Sequence, residues 1–185
     1  MLPALSIGWR LDRPPEVLTA GTHDFPRGRI SEIVGARSSG RTSLLHALLA
    51  ASTGRGEIAA LVDSADAFDP VSAAAAGVEL PRLIWVRCGG RIEAAMRSAD
   101  LLIQAGGFGV VAIDLTEAST RELQRIPATA WFRFRRAVES SPAILAVVAD
   151  RPLAKSCASM AVKLAPQRAV FTGRAPFLLL TRTTD

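Results

Sequence analysis

The chain has 185 residues, 49% of them apolar and 21% charged, a globular balance with room for one domain and its core. No apolar run approaches a membrane span, the first residues do not read as a secretory leader, and Cys88 and Cys157 offer neither a disulfide framework nor metal-ligand spacing, so a soluble cytoplasmic protein is expected. Charge is uneven: residues 121–185 carry 11 basic and 4 acidic side chains against 11 and 13 in residues 1–120, which suits either a nucleic acid or acidic partner or a plainly solvated arginine surface.

In chain order, residues 1–28 hold Pro3, Pro14, Pro15 and Pro26 with little periodicity and read as an arm packed over the core or partly loose. The remainder, 29–185, reads as a single core domain. "RISEIV" (29–34) is a short strand feeding a Gly-rich turn. "TSLLHALLAAS" (42–52) follows as an apolar helix stopped near Gly54. "EIAALVD" (57–63) is a buried strand ending in the acidic "DSADAFD". "SAAAAG" (72–77) suits a small helix and "RLIWVR" (82–87) a third strand. "RIEAAMRSADLLIQAG" (91–106) places Ile92, Ala95, Met96, Ala99 and Ile103 on one helical face. "FGVVAID" (108–114) is a fourth strand. A helix ending in "WFRFRRAVES" (131–140) precedes the strand "AILAVVA" (143–149), and the tail holds short strands joined by turns. Apolar strands alternating with helices imply an α/β fold with a mainly parallel central sheet and antiparallel strands at the C-terminal edge.

The turn after the first core strand is "GARSSGRTS". It follows the phosphate-loop pattern G-x-x-x-x-G-K-[ST] with Gly35, Gly40 and Thr42 in place and Arg41 in the lysine slot. The flanking strand and helix are the context in which that pattern has physical meaning. The glycines let the backbone wrap, and the N–H groups at the helix start face an anion. Candidate phosphate contacts are Gly35, Ser38, Ser39, Gly40, Arg41, Thr42 and Ser43. Thr42 and Asp114, the strand-end carboxylate of "FGVVAID", are the candidate Mg²⁺ partners if nucleotide binds; the alternative for Asp114 is a helix cap or loop residue. Arginine keeps the charge of lysine, but its planar fork is bulkier than an ammonium. Only Lys155 and Lys163 among the 22 basic residues are lysines, so Arg41 alone carries little weight.

"GRISEIVGARSSGRTSLLHALLAA" resembles the ATP-binding strand, loop and helix of the RecA recombinases. "LVDSADAFDPVSAAAAGVELPRLIWVR" and "AMRSADLLIQAGGFGVVAID" are similar to the segments that follow, the second ending in the aspartate strand, and "ASMAVKL" to a late core strand. The resemblance implies a single RecA-type domain, ATP with Mg²⁺ as ligand, and DNA or a RecA-type protein as partners. It also exposes departures. The family carries a glutamate that activates water two residues after the aspartate matched by Asp63; that position is Ala65, and Asp66 lies one residue off line. With the lysine and the glutamate both changed, ATP binding is expected to be weak or lost and no catalytic residue is assigned. The long DNA-gripping loop after the fifth strand is reduced to "DRPLAKSCAS". A polymerisation arm would have to fit into 27 residues and no C-terminal domain is seen, so a strand-exchange filament is not expected.

A shortened RecA-like core also characterises the ImuA proteins, and "LIWVR" followed by "EAAMRSADLLIQAG" looks like the corresponding ImuA segment. That resemblance implies an accessory or scaffold protein of DNA repair, in mutagenic translesion synthesis during the SOS response, working with a polymerase or polymerase-like protein. The alternative is a slow DNA-stimulated ATPase that assists or regulates recombination. "WFRFRRA" sets Arg133, Arg135 and Arg136 among Trp131, Phe132 and Phe134. With Arg151 and Lys155 they are the candidate nucleic-acid or partner surface, against the alternative of a helix whose aromatics face the core. Trp85 and His46 read as packing residues, and Cys88 and Cys157 as small apolar ones.

Overall fold

A computed structural model describes residues 16–166, together with the backbone of residues 170–174 and 177–181. At the amino end β1 (Val17–Ala20) and β2 (His23–Pro26) pair antiparallel around a turn that contains Gly21. Then come β3 (Ile30–Gly35), α1 (Arg41–Thr53), β4 (Ile58–Asp63), the short α2 (Pro70–Ala75) and β5 (Leu83–Arg87). They are followed by α3 (Ile92–Ala105), β6 (Phe108–Asp114), α4 (Thr120–Gln124), α5 (Ala128–Glu139) and β7 (Ile144–Ala149). The tail gives β8 (Ala158–Leu164), β9 (Val170–Arg174) and β10 (Phe177–Thr181).

Six strands form one sheet in the order β5-β4-β6-β7-β3-β8, every neighbouring pair parallel. β9 and β10 pair antiparallel with each other as a separate small sheet. The architecture is the α/β fold that the strand–helix alternation implies. β3 and β7 are buried at every position, β4 and β6 at all but one each, which is why these runs are apolar without alternation: a parallel sheet has helices over both faces. One face packs Leu44, Leu45, Leu48 and Leu49 of α1 together with Leu18, Ala20 and Phe25 of the β1–β2 hairpin. The other packs α3 and α5, with Ala95, Ala99, Trp131, Phe134 and Val138 against the sheet. Residues 17–26, inside the proline-bearing stretch, are thus a hairpin laid on α1. No described helix is long and apolar enough to cross a membrane.

All core strands deliver their carboxyl ends to one edge. Asp63 stands opposite Asp114, Asp114 opposite Val148, and Val34 opposite Ala149. From β3 the chain moves by way of α1 toward β4 and β5, then returns through β6 and β7 to lie beside β3 again. The crevice at such a reversal is where open α/β sheets present their loops to a ligand.

One buried carboxylate tethers that edge. Glu32, in the middle of β3 and 2% exposed, accepts hydrogen bonds at Oε1 from the backbone N–H groups of Leu153 (2.6 Å) and Ala154 (2.8 Å). The short connection between β7 and β8 is therefore pinned to the strand that feeds the Gly-rich turn. Truncating Glu32 leaves two N–H groups without their acceptor, one of them fully buried. Glu32→Ala is expected to lose about 3 kcal/mol of stability in urea unfolding, and a loss within experimental error would contradict the tether.

Candidate functional site

The Gly-rich turn sits at the carboxyl end of β3. Gly35 is buried, and a Cβ there would collide with the Ser39 side chain, so only glycine lets the turn fold back this tightly. Ser38 and Gly40 both take positive φ, 62° and 90°. Gly40 is also the N-cap of α1; it supplies no side-chain cap, and the first turn of the helix has no acidic residue. The positive end of a 13-residue helix is thus left open. Thr42 and Ser43 are exposed there, as are Arg37, Ser38 and Gly40. Together with Arg41 and Glu117 they line a cleft of about 560 Å³. The backbone is a cradle into which a phosphate fits. Thr42, on the cleft, and Asp114, closing β6, carry hard oxygen donors of the kind that would suit Mg²⁺.

The charges inside the cradle are less open than its backbone. Arg41 is 6% exposed, and its Nη1 donates to the Gly35 carbonyl at 2.7 Å. The guanidinium is folded under the loop instead of extending across its mouth. Its Nη2 lies 3.8 Å from Oε1 of Glu117, and Arg37 donates through Nη2 to the other oxygen, Oε2, of the same carboxylate. Ser39 is buried, with a hydroxyl that has no hydrogen-bond partner.

Asp114 closes β6. One of its oxygens accepts the Thr116 N–H at 2.9 Å. Burial, reinforced by the neighbouring Asp63, holds its carboxyl above the ordinary aspartate range, while Thr116 and Arg41 pull the other way. A carboxyl destabilised in its charged form at a strand end is a frequent signature of a cation or proton site.

Asp63, at the matching position of β4, is 1% exposed and saturated. Its two oxygens accept from the N–H groups of Ala65 (3.3 Å), Ala67 (3.1 Å) and Phe68 (2.9 Å) and from the Trp85 indole (3.2 Å). These bonds fold the "DSADAF" turn, and Phe68 packs edge-on between His46 of α1 and Trp85 of β5. His46 is buried, with Nε2 unpartnered; burial lowers its pKa against the pull of Asp69 and Asp114. Ala65 is exposed on this turn. Asp66 holds a positive φ, and its carboxylate is turned toward β5, accepting from Arg87 (3.2 Å) and the Gly89 N–H (3.3 Å).

The five candidate surface cations do not form one patch. Arg133 pairs with Asp100 at 3.0 Å, and Arg135 with Glu139 at 3.0 Å along the exposed face of α5. Arg136 lies on that helix, also exposed. Trp131 and Phe134 face the core while Phe132 is 55% exposed. Arg151 and Lys155 belong instead to the β7–β8 connection and line a groove of about 380 Å³ with Trp131, Phe132 and α4. Arg151 donates to Asp150 and to the Thr120 hydroxyl. Cys88 and Cys157 are free and buried. Glu117 and Glu32 were not among the expected site residues. No local spacing marks either, because their partners lie 80 and 121 residues away.

An ionised Asp114 opposes folding. Its carboxyl titrates higher in the folded chain than unfolded, so stability falls as pH rises through that elevated range. Asp114→Asn is expected to raise Tm near neutral pH, with the gain vanishing below about pH 4, where both states are protonated. Thermal unfolding at the two pH values reads this, and a Tm below wild type near neutrality would contradict it.

Comparison with known proteins agrees with this geometry. The family model of the RecA N-terminal domain matches residues 16–124. Protein RecA of Borreliella afzelii (strain PKo) is 39% identical over 104 residues, covering 56% of this chain and 28% of the relative. Protein RecA of Methylococcus capsulatus is 42% identical over 103 residues, covering 56% of this chain and 29% of that one. The matched segment therefore spans less than a third of the length of these relatives. The crystal structure of the RadB recombinase superposes with a TM-score of 0.59 at 17% identity, covering 86% of this chain and 83% of that one, which speaks for the fold. With the phosphate-loop turn, the strand-end aspartate and the sheet order in place, the chain belongs to the RecA family, by its N-terminal domain.

Proposed function

We propose that this protein is a RecA-family accessory or scaffold of DNA repair that does not carry out strand exchange, acting with a polymerase or polymerase-like protein in mutagenic translesion synthesis. ATP with Mg²⁺ binds weakly at the Gly-rich turn and is not turned over at a rate that matters. The N–H groups at the start of α1, with Ser43, would hold the phosphates, and Thr42 and Asp114 would hold the cation. The Mg²⁺ supplies charge neutralisation when nucleotide is bound.

The observation that carries this reading is the placement of Arg41. Its guanidinium is committed to the Gly35 carbonyl and is buried, so the loop's own cation serves the loop's shape. A fork held by a backbone carbonyl is poorly placed to follow charge as it develops on a transferred phosphoryl group. The exposed turn after β4 adds support. Position 65 is alanine, and Asp66 is spent on Arg87 and Gly89, so no free carboxylate on this turn stands ready as a general base. The connection between β7 and β8, pinned by Glu32, leaves little slack for a mobile strand-gripping loop. The groove lined by Phe132, Arg151 and Lys155 is the surface proposed for an acidic partner or a nucleic-acid backbone.

Phosphate release from Mg-ATP, with and without single-stranded DNA, tests the proposal. The expected outcome is no DNA-stimulated turnover in wild type. The double variant Arg41→Lys with Ala65→Glu restores the two groups the loop and turn lack, and a measurable gain in turnover is expected. DNA-stimulated hydrolysis by wild type that Asp114→Ala abolishes would contradict the accessory reading and favour the slow ATPase.

A further inference from the structure

We infer that Glu117 is an internal competitor for the Gly-rich turn, a carboxylate lodged where a nucleotide phosphate belongs, and that it sets the affinity of this site. The inference rests on reading the turn as a phosphate site. Glu117 lies three residues beyond the end of β6, in the connection to α4. Its two oxygens are divided between the two arginines of the turn: Arg37 donates to Oε2, and Arg41 faces Oε1 at 3.8 Å. The carboxylate is only 34% exposed and lines the same cleft as Ser38, Gly40, Thr42 and Ser43. A carboxylate and a phosphate both offer a guanidinium a pair of negatively charged acceptor oxygens that it can bind bidentately. Two arginines that already hold one anion have less to offer a second, and the resident charge repels the newcomer at contact range.

The pairing also has a structural reach. Glu117 is followed by the capping box in which the Ser119 hydroxyl accepts the Glu122 N–H while the Glu122 carboxylate accepts the Ser119 N–H. The next residue, Thr120, accepts from Arg151 at 2.9 Å. Three residues of chain thus separate Glu117 from Thr120, which begins the wall of the groove carrying Arg151 and Lys155.

Calorimetric titration of the full chain with Mg-ATP, pyrophosphate and adenosine tests this, using wild type, Glu117→Gln and Glu117→Ala. Glu117→Gln keeps the shape and removes the charge, and thermal unfolding confirms that each variant is folded. Both variants are expected to bind Mg-ATP and pyrophosphate at least about tenfold more tightly than wild type. Adenosine, which carries no phosphate, is expected to show no gain. Wild-type affinity in both variants overturns the competition while leaving the phosphate site standing. A gain of equal size for adenosine also overturns it, since Glu117 then obstructs the base and not the phosphate. If neither variant binds Mg-ATP or pyrophosphate, the phosphate-site reading itself falls and the competition with it.

Discussion

A parallel sheet brings the carboxyl ends of its strands to one edge, and in this molecule that constraint organises everything else. β3, β4, β6 and β7 can be uninterrupted apolar runs only because α1 and the β1–β2 hairpin cover one face and α3 and α5 the other. Once they are covered, chemistry has a single place to go. The turn after β3, the aspartates closing β4 and β6, and the β7–β8 connection all meet there. Their positions in sequence are scattered over more than half the chain, yet the sheet register sets Asp63 opposite Asp114 and Val34 opposite Ala149.

At that edge, two demands on the same groups are in tension. Holding a phosphate requires open N–H groups and an uncommitted cation; holding the loop closed requires acceptors and donors to be satisfied internally. The backbone meets the first demand, with Gly35 packed against Ser39 and an uncapped α1. The side chains meet the second. Arg41 is spent on Gly35, Arg37 on Glu117, Asp63 on its own turn and Trp85, and Asp66 on Arg87 and Gly89. Asp114 remains under electrostatic stress, because burial penalises its charge. The result is a site that keeps its form with most of its reactive groups already engaged.

Much of this was legible in the sequence because it is local. The core strands and α1, α3 and α5 follow from apolar runs and helical spacing, and the Gly-rich turn from its glycines between a strand and a helix. The β1–β2 hairpin was not legible, since Pro14, Pro15 and Pro26 mask a pattern in which Leu18, Ala20 and Phe25 turn inward around Gly21. α4 carried a readable signal, the S-x-x-E spacing of Ser119 and Glu122, which its short length left isolated. The substitutions at Arg41 and Ala65 could be read as departures from a pattern, but not where the arginine would turn. Nor was Glu117 legible as part of the site, since its partner Arg37 lies 80 residues away. Long-range polar pairing of this kind has no periodicity and leaves no trace in a single sequence.

The central claim is that the turn keeps a phosphate cradle whose own arginine is committed to its backbone. A crystal structure with Mg²⁺ and a non-hydrolysable ATP analogue tests it most directly. The account predicts phosphate oxygens on the N–H groups at the start of α1, Arg41 still bonded to the Gly35 carbonyl, and Glu117 turned out of the cleft. Arg41 released from Gly35 and extended along the terminal phosphate would contradict it.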